Sequence, residues 1–187
     1  MGFIGEMSSM GCCCQGTERR EVVLKFLWEE LLYDVRNAAY TESDVMKDAG
    51  LQRDNTHARH VTADIGEAGN VDRVRRVLSV VHEEVKELLY PFTKEEVEAE
   101  EISNKLEEPD SYDIALTVPV TMSKTTMQLL SKLVHEYMVA RVLSDWLSST
   151  NTAAAEVWAA KAEEKKTEIN NAKNQRREAQ TRKISVF

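Results

Sequence analysis

Apolar positions recur along this chain at two spacings, and those spacings predict its elements. Val22, Val23, Phe26, Leu27, Leu31, Leu32 and Val35 fall at three- and four-residue steps. That is the stripe of an amphipathic helix, and Trp28 widens it. The pattern predicts a first helix from Thr17 to about Tyr40. Thr17 stands as its N-cap, with Glu18 and Glu21 in the first turn, where the helix dipole favours negative charge. Residues 41–69 are polar and broken by Gly50, Gly66 and Gly69, which predicts a long connection. A second stripe of Val71, Val74, Val77, Leu78, Val81, Val85 and Leu88 predicts a helix from Asn70, its cap, to Tyr90. Pro91 stops it. Arg73, Arg75 and Arg76 lie mostly off the stripe.

Tyr112, Ile114, Leu116 and Val118 change the period to two, the sign of a half-buried strand, and Pro119 ends it. The nearest partner along the chain is Val97–Ile102, across a turn region at Asn104–Asp110. This predicts a β-hairpin over about 92–118, although Lys94 to Glu108 also has helix-forming composition and 94–106 stays open between strand and helix. The third helix, Thr121 to Ser149, has a wide apolar face: Met122, Leu129, Leu130, Leu133, Val134, Tyr137, Met138, Val142, Trp146 and Leu147. Asn151 then caps a fourth helix to about Gln180. Ala153, Ala154, Ala155, Val157, Trp158 and Ala162 pack its first half, and its apolar face thins after Ile169.

The predicted class is mainly α: a four-helix bundle with a β-hairpin between helices 2 and 3 and an extended basic C-terminal helix or tail. Residues 1–16 form a flexible cysteine-containing arm, 17–172 the helical domain and 173–187 a basic extension. At about 1.5 Å per residue the last two helices are each roughly 43–45 Å long. A compact chain of this size is about 40 Å across. The second half of the fourth helix is therefore expected to leave the body and to be held from outside. Ile184-Ser185-Val186-Phe187 alternates again and suits strand addition to a partner's sheet edge.

Charge adds a polarity. The 187 residues carry a net charge of −8, so the whole chain is no polyanion binder. Residues 83–113 hold twelve acidic and three basic side chains, a net of −9, and residues 161–187 hold eight basic and four acidic, a net of +4. Opposed potentials of this kind steer and register neighbouring copies, or simply solvate two faces. No stretch has the length of apolar residues that a transmembrane helix needs, and no signal peptide is apparent. Cys12, Cys13 and Cys14 are consecutive, which fits a reducing compartment better than a disulfide framework. Acylation of this tract lacks the N-terminal glycine that myristoylation requires.

Candidate chemistry is sparse. No Glu-x-x-His pair for a di-iron bundle precedes His82 or His135, and His57-x-x-His60 sits in a polar stretch without a third ligand. Glu84-x-x-Glu87, followed by Glu107-x-x-Asp110, resembles the acidic pairs with which all-α nucleotide pyrophosphohydrolases hold magnesium. Pro109 keeps the second pair from sharing one helical face. No phosphate loop, nucleophile elbow or spaced cysteine pair appears. The sequence thus points to no catalytic residue, no cofactor and no metal. Lys173, Arg176, Arg177, Arg182 and Lys183 suit a protein partner or nonspecific nucleic-acid contact. Trp28, Trp146 and Trp158 suit a core, or an interface anchor.

The order of these elements, with Asp72-Arg73-Val74-Arg75-Arg76-Val77-Leu78, Val134-His135-Glu136-Tyr137-Met138-Val139-Ala140-Arg141, and Trp146-Leu147 through Trp158, resembles the head–tail connector (adaptor or neck-ring) proteins of tailed phages. It is most similar to those of crAss-like and related phages of gut Bacteroidota, over roughly residues 20–180. The resemblance implies a non-enzymatic virion protein, assembled in host cytoplasm into a ring, typically of twelve copies, between the portal and the other neck and tail rings. It implies at most nonspecific contact with passing DNA, and no membrane partner is expected. Arg176, Arg177, Arg182, Lys183, Ile184, Val186 and Phe187 become candidate portal or subunit contacts. Glu95, Glu96, Glu98, Glu100 and Glu101 become a candidate acidic ring face. The alternatives are a metal-dependent hydrolase using Glu84 and Glu87, and a cytosolic helical interaction module.

Overall fold

The structure is a computed structural model, and it describes residues 18–48, 56–94 and 108–174. The chain is mainly helical with one two-stranded antiparallel sheet. In order, the elements are β1 (Arg19–Leu27), α1 (Trp28–Asp48), α2 (Thr56–Ala63), a 3-10 turn at Asp64–Gly66, α3 (Ala68–Leu88), β2 (Ser111–Pro119), α4 (Lys124–Leu147) and α5 (Thr152–Asn174).

Two sequence expectations change here. The predicted first helix is a strand followed by a helix. Leu24 and Phe26, with Val22 partly covered, face the core at a spacing of two, and only from Trp28 does the spacing become helical, with Leu31, Val35 and Ala39 buried. The strand Tyr112–Val118 is present, but its described partner is β1, which puts the hairpin expectation in the wrong place. The register pairs Val22 with Leu116, Leu24 with Ile114 and Phe26 with Tyr112. These pairs stack apolar side chains on one face, which no pairing with a glutamate-rich segment would do. Val97–Ile102 lies outside the described residues.

The long connection also changes. α1 runs on to Asp48, and α2 with the 3-10 turn fills much of the remainder. Ile65 and Thr62 are buried there. α3 begins two residues before Asn70. Its N-cap position is Glu67, and Asn70 instead donates from Nδ2 to the Asp64 carbonyl at 2.9 Å, bracing the turn. The α3 stripe is as expected, with Val74, Leu78, Val81 and Val85 buried. α4 and α5 have side-chain caps. Ser123 Oγ accepts from the Thr126 N–H at 3.1 Å, and Asn151 Oδ1 from the Ala154 N–H at 3.2 Å.

α4 is the hub. Twelve of its residues are buried, among them Leu130, Val134, Met138, Leu143 and Leu147, and α1, α3 and α5 pack around it. A helix with so wide an apolar face has to be covered from several sides, and its polar strip of Lys124, Gln128, Lys132 and Glu136 is what stays exposed. α5 stays on the body through Asn174, against expectation. Ile169 and Ala172 are buried, and Lys173 Nζ donates to the carbonyls of Leu88 and, at 3.2 Å, Tyr90. The small face of Ala154, Ala155, Ala162 and Ala172 lets α5 lie close along α4, so few large apolar residues are needed to hold it. Residues 173 and 174 are the last two of this packed helix, and 175–187 lie outside the described residues.

Candidate functional site

The passages singled out in the sequence are internal ties. Glu84 on α3 faces Arg141 and Tyr137 on α4. Arg141 Nη2 donates to Glu84 Oε1 at 3.1 Å and Nε to Oε2 at 3.3 Å, while the Tyr137 hydroxyl donates to Oε2 at 3.0 Å. Burial pushes the Glu84 carboxyl up, but hydrogen bonds from Arg141 and Tyr137 and the Arg141 charge outweigh it and hold it below the usual range. Burial first, then the bond to Glu84, push the Tyr137 hydroxyl up to about 12. An open cleft of about 410 Å³ lies over this trio, lined also by Glu87, Glu163 and Lys166. Both Glu84 oxygens are engaged, and Glu87 is exposed beside them. The second acidic pair does not join this site. Glu107 lies outside the described residues, and the Asp110 carbonyl accepts from Trp28 N–H beside the sheet.

The arginines of α3 are similar. Arg73 stacks 5.1 Å over Trp146 and pairs with Asp145 at 3.2 Å. Arg75 stacks 5.0 Å over Trp28 and meets Glu108 at 2.7 Å. Trp146 Nε1 donates to the Thr62 carbonyl and Trp158 Nε1 to Glu42, at 3.2 and 3.0 Å. Trp146 is core, whereas Trp28 and Trp158 are partly covered. His82 sits edge-on to Tyr112 and hydrogen-bonds the Asp113 carbonyl at 3.1 Å. Burial, then the Lys86 charge, lower its pKa. His135 bonds Asp34 at 2.7 Å. Both histidines are the expected boundary residues. His57 and His60 belong to helix α2 and not to a loop, and His60 is exposed.

The described residues contain no cluster of three His, Cys, Asp or Glu side chains able to hold a metal ion, and no helix long and apolar enough to cross a membrane. The N-terminal cysteines, Glu95, Glu96, Glu98, Glu100 and Glu101, and Arg176, Arg177, Arg182, Lys183, Ile184, Val186 and Phe187 all lie outside the described residues.

Two surfaces were not foreseen. The first is the free side of the sheet. Thr117 N–H donates to the Phe92 carbonyl and the Asp113 carbonyl meets His82, so these residues turn away from β1. Their register partners Glu21 and Lys25, with Val23 between them, then point their main-chain groups away from β2. No strand among the described residues pairs with that edge. Beside it Val23 is 59% and Leu27 41% exposed. The second is a trough between α1, α4 and α5. One end is lined by Glu29, Glu30 and Tyr33, the other by Val139, Ala140, Trp158, Lys161 and Lys165, and Asp34 and His135 line both.

No protein-family model matches the chain, and neither do any curated protein or solved structure.

Proposed function

We propose that this chain is a structural subunit of a phage virion, forming a ring at the head–tail junction that joins portal to tail and surrounds the DNA channel. The observation that carries it is the unfinished sheet. A two-stranded ladder is marginal by itself, and among the described residues nothing pairs with the outer side of β1, where Val23 and Leu27 stand exposed. Such an edge invites uncontrolled pairing. A closed ring covers the same edge on every copy and stops growth by closure.

The connector-like passages support the same reading. Arg73, Arg75, Arg141 and Trp158 are spent on ties between helices, which suits a rigid building block. The helices α1, α3, α4 and α5 serve as its four-helix core, with the β1–β2 sheet in place of a hairpin. Arg75 grips Glu108 at the root of the acidic segment. Glu95, Glu96, Glu98, Glu100 and Glu101 are assigned to the channel or ring face, where like charge keeps DNA from sticking. A magnesium-dependent hydrolase is less well supported, because the ion would have to displace the Arg141 guanidinium from Glu84.

The test is mass measurement and electron microscopy of the chain with a purified portal ring. Wild type is expected to form a closed ring of about twelve copies. Val23→Lys, at an exposed position, is expected to leave the monomer's Tm within about 2 °C yet prevent the ring. A chain that stays monomeric on the portal overturns the proposal. A Val23→Lys chain that still forms rings removes the sheet edge from it.

A further inference from the structure

The strand β1 is nine residues long, Arg19–Leu27, and Val23 is its midpoint. Glu21 stands two residues before that midpoint and Lys25 two residues after it. The main-chain groups of all three face the outer edge, and their side chains are exposed on the face of the sheet away from the core. Neither Glu21 nor Lys25 has an ion-pair partner among the described residues. Both ends of the strand are tied toward β2. The Glu18 carbonyl accepts from Val120 N–H at 3.1 Å, and Trp28 N–H donates to the Asp110 carbonyl at 3.0 Å.

We propose that two copies of the free chain pair through this edge, β1 against β1, antiparallel about a two-fold axis at Val23. In that register Glu21 of each copy lies opposite Lys25 of the other, and Val23 lies opposite Val23. Directly opposite residues of an antiparallel pair share a face and lie close enough to interact. The three central pairs close about six ladder hydrogen bonds. The two small sheets become one sheet of four strands, beyond the size at which a ladder is marginal. Ala115, opposite Val23 on β2, extends the valine pair into an apolar line across all four. Charges on an edge ordinarily keep strands from pairing. Here they are opposite in sign and equally far from the midpoint, so they select one register. A slip of two residues sets Lys25 against Arg19 in one direction and against Val23 in the other. A slip of one turns the core side of one strand to water. A parallel pairing in register sets Glu21 beside Glu21. The contact is isologous, so it closes on two copies and does not propagate around a ring. The inference therefore goes beyond the ring reading: the dimer covers the edge before the portal is met, and it parts when the edge is taken into the ring.

The experiment uses the full chain in reducing buffer without a portal. Sedimentation velocity is expected to show mostly dimer at about 100 µM. Glu21→Lys or Lys25→Glu alone sets like charges opposite each other twice in the interface and is expected to weaken the dimer about tenfold or more. Mixing the two single variants restores opposite charges at both places and is expected to recover the wild-type affinity to within about threefold. Amide exchange followed by NMR is expected to slow at Glu21, Val23 and Lys25 as the concentration rises. A chain that stays monomeric at the highest concentration, a dimer indifferent to the single changes, or a mixture that does not recover it overturns the proposal. Protection of those three amides already complete in the dilute monomer overturns it too, because the chain then covers its own edge. Rings on the portal from a chain that never dimerises remove the dimer and leave the ring, and dimers from a chain that forms no ring do the reverse.

Discussion

Removing the Glu84 carboxylate separates a structural tie from a catalytic group. In Glu84→Ala the Tyr137 hydroxyl, on a residue only 3% exposed, loses its acceptor. A buried donor left without a partner costs about 1–2 kcal/mol. Arg141 also loses its counterion, but its side chain and that of Glu84 are each more than a third exposed, so that pair contributes only about 0.5–1 kcal/mol. The sum is about 1.5–3 kcal/mol, or a fall in Tm of roughly 3–12 °C for a chain of this length. Glu84→Gln keeps an acceptor for Tyr137 and should cost about 1 kcal/mol or less. Urea denaturation followed by circular dichroism reads both, with an unchanged denaturant slope. The pH dependence has a fixed sign. Glu84 is held below its ordinary carboxylate range, so its contribution is present above the unfolded carboxylate pKa and is lost as pH falls through the folded one. The wild type's advantage over Glu84→Ala should therefore shrink as the solution becomes acidic. A loss under 0.5 kcal/mol in Glu84→Ala, or equal losses in both variants, would refute the tie. Abolished nucleotide hydrolysis with unchanged stability would favour the enzyme instead.

Ile169→Ala should cost about 2–4 kcal/mol by the same urea measurement, because the side chain is fully buried; a loss below 1 kcal/mol would mean that α5 is not held where it lies. His82 has a lowered folded pKa, so the neutral ring is favoured, and its contribution is complete above the unfolded value near 6.5 and declines as pH falls below it. His82→Gln should flatten that part of the stability profile, and an unchanged slope between pH 7 and 5 counts against burial of the His82 ring beside Lys86. Neutralising Glu95, Glu96, Glu98, Glu100 and Glu101 to glutamine should alter genome retention or ejection in particles whose rings still form, and normal ejection rejects the channel assignment.

The helical half of the fold is legible in the sequence wherever burial and apolarity coincide. In α3 they largely do, since Val74, Leu78, Val81 and Val85 are apolar and covered, while Val80 is left 60% exposed. In α4 they nearly do, with Leu129 left out in solvent. The end of α5 was misjudged because alanine packs closely while adding little to an apolar count, so a helix held by Ala162, Ile169 and Ala172 looks poorer than it is. The polar groups of the candidate site were visible, but their pairing was not. Glu84 and Arg141 lie 57 residues apart, and Arg73 and Asp145 72 apart, distances that no local spacing rule spans. An acidic pair on one helix face reads alike whether it awaits a metal ion or already faces a guanidinium.

β1 shows why the most informative surface was hidden. Its covered residues, Val22, Leu24 and Phe26, keep a strict period of two, and taken alone they mark a strand. Val23 and Leu27 stand between and after them on the water side. Their presence fills the alternation and converts it into apparent three- and four-residue steps that run straight into α1. Periodicity counts apolar residues, whereas the fold sorts covered ones, and the two differ where an apolar residue has been kept in solvent. A polar residue at position 23 would have made the strand legible at little cost to the monomer. The residues that obscured the strand are therefore the same ones that stand exposed beside its outer edge, the positions that the proposed ring would cover.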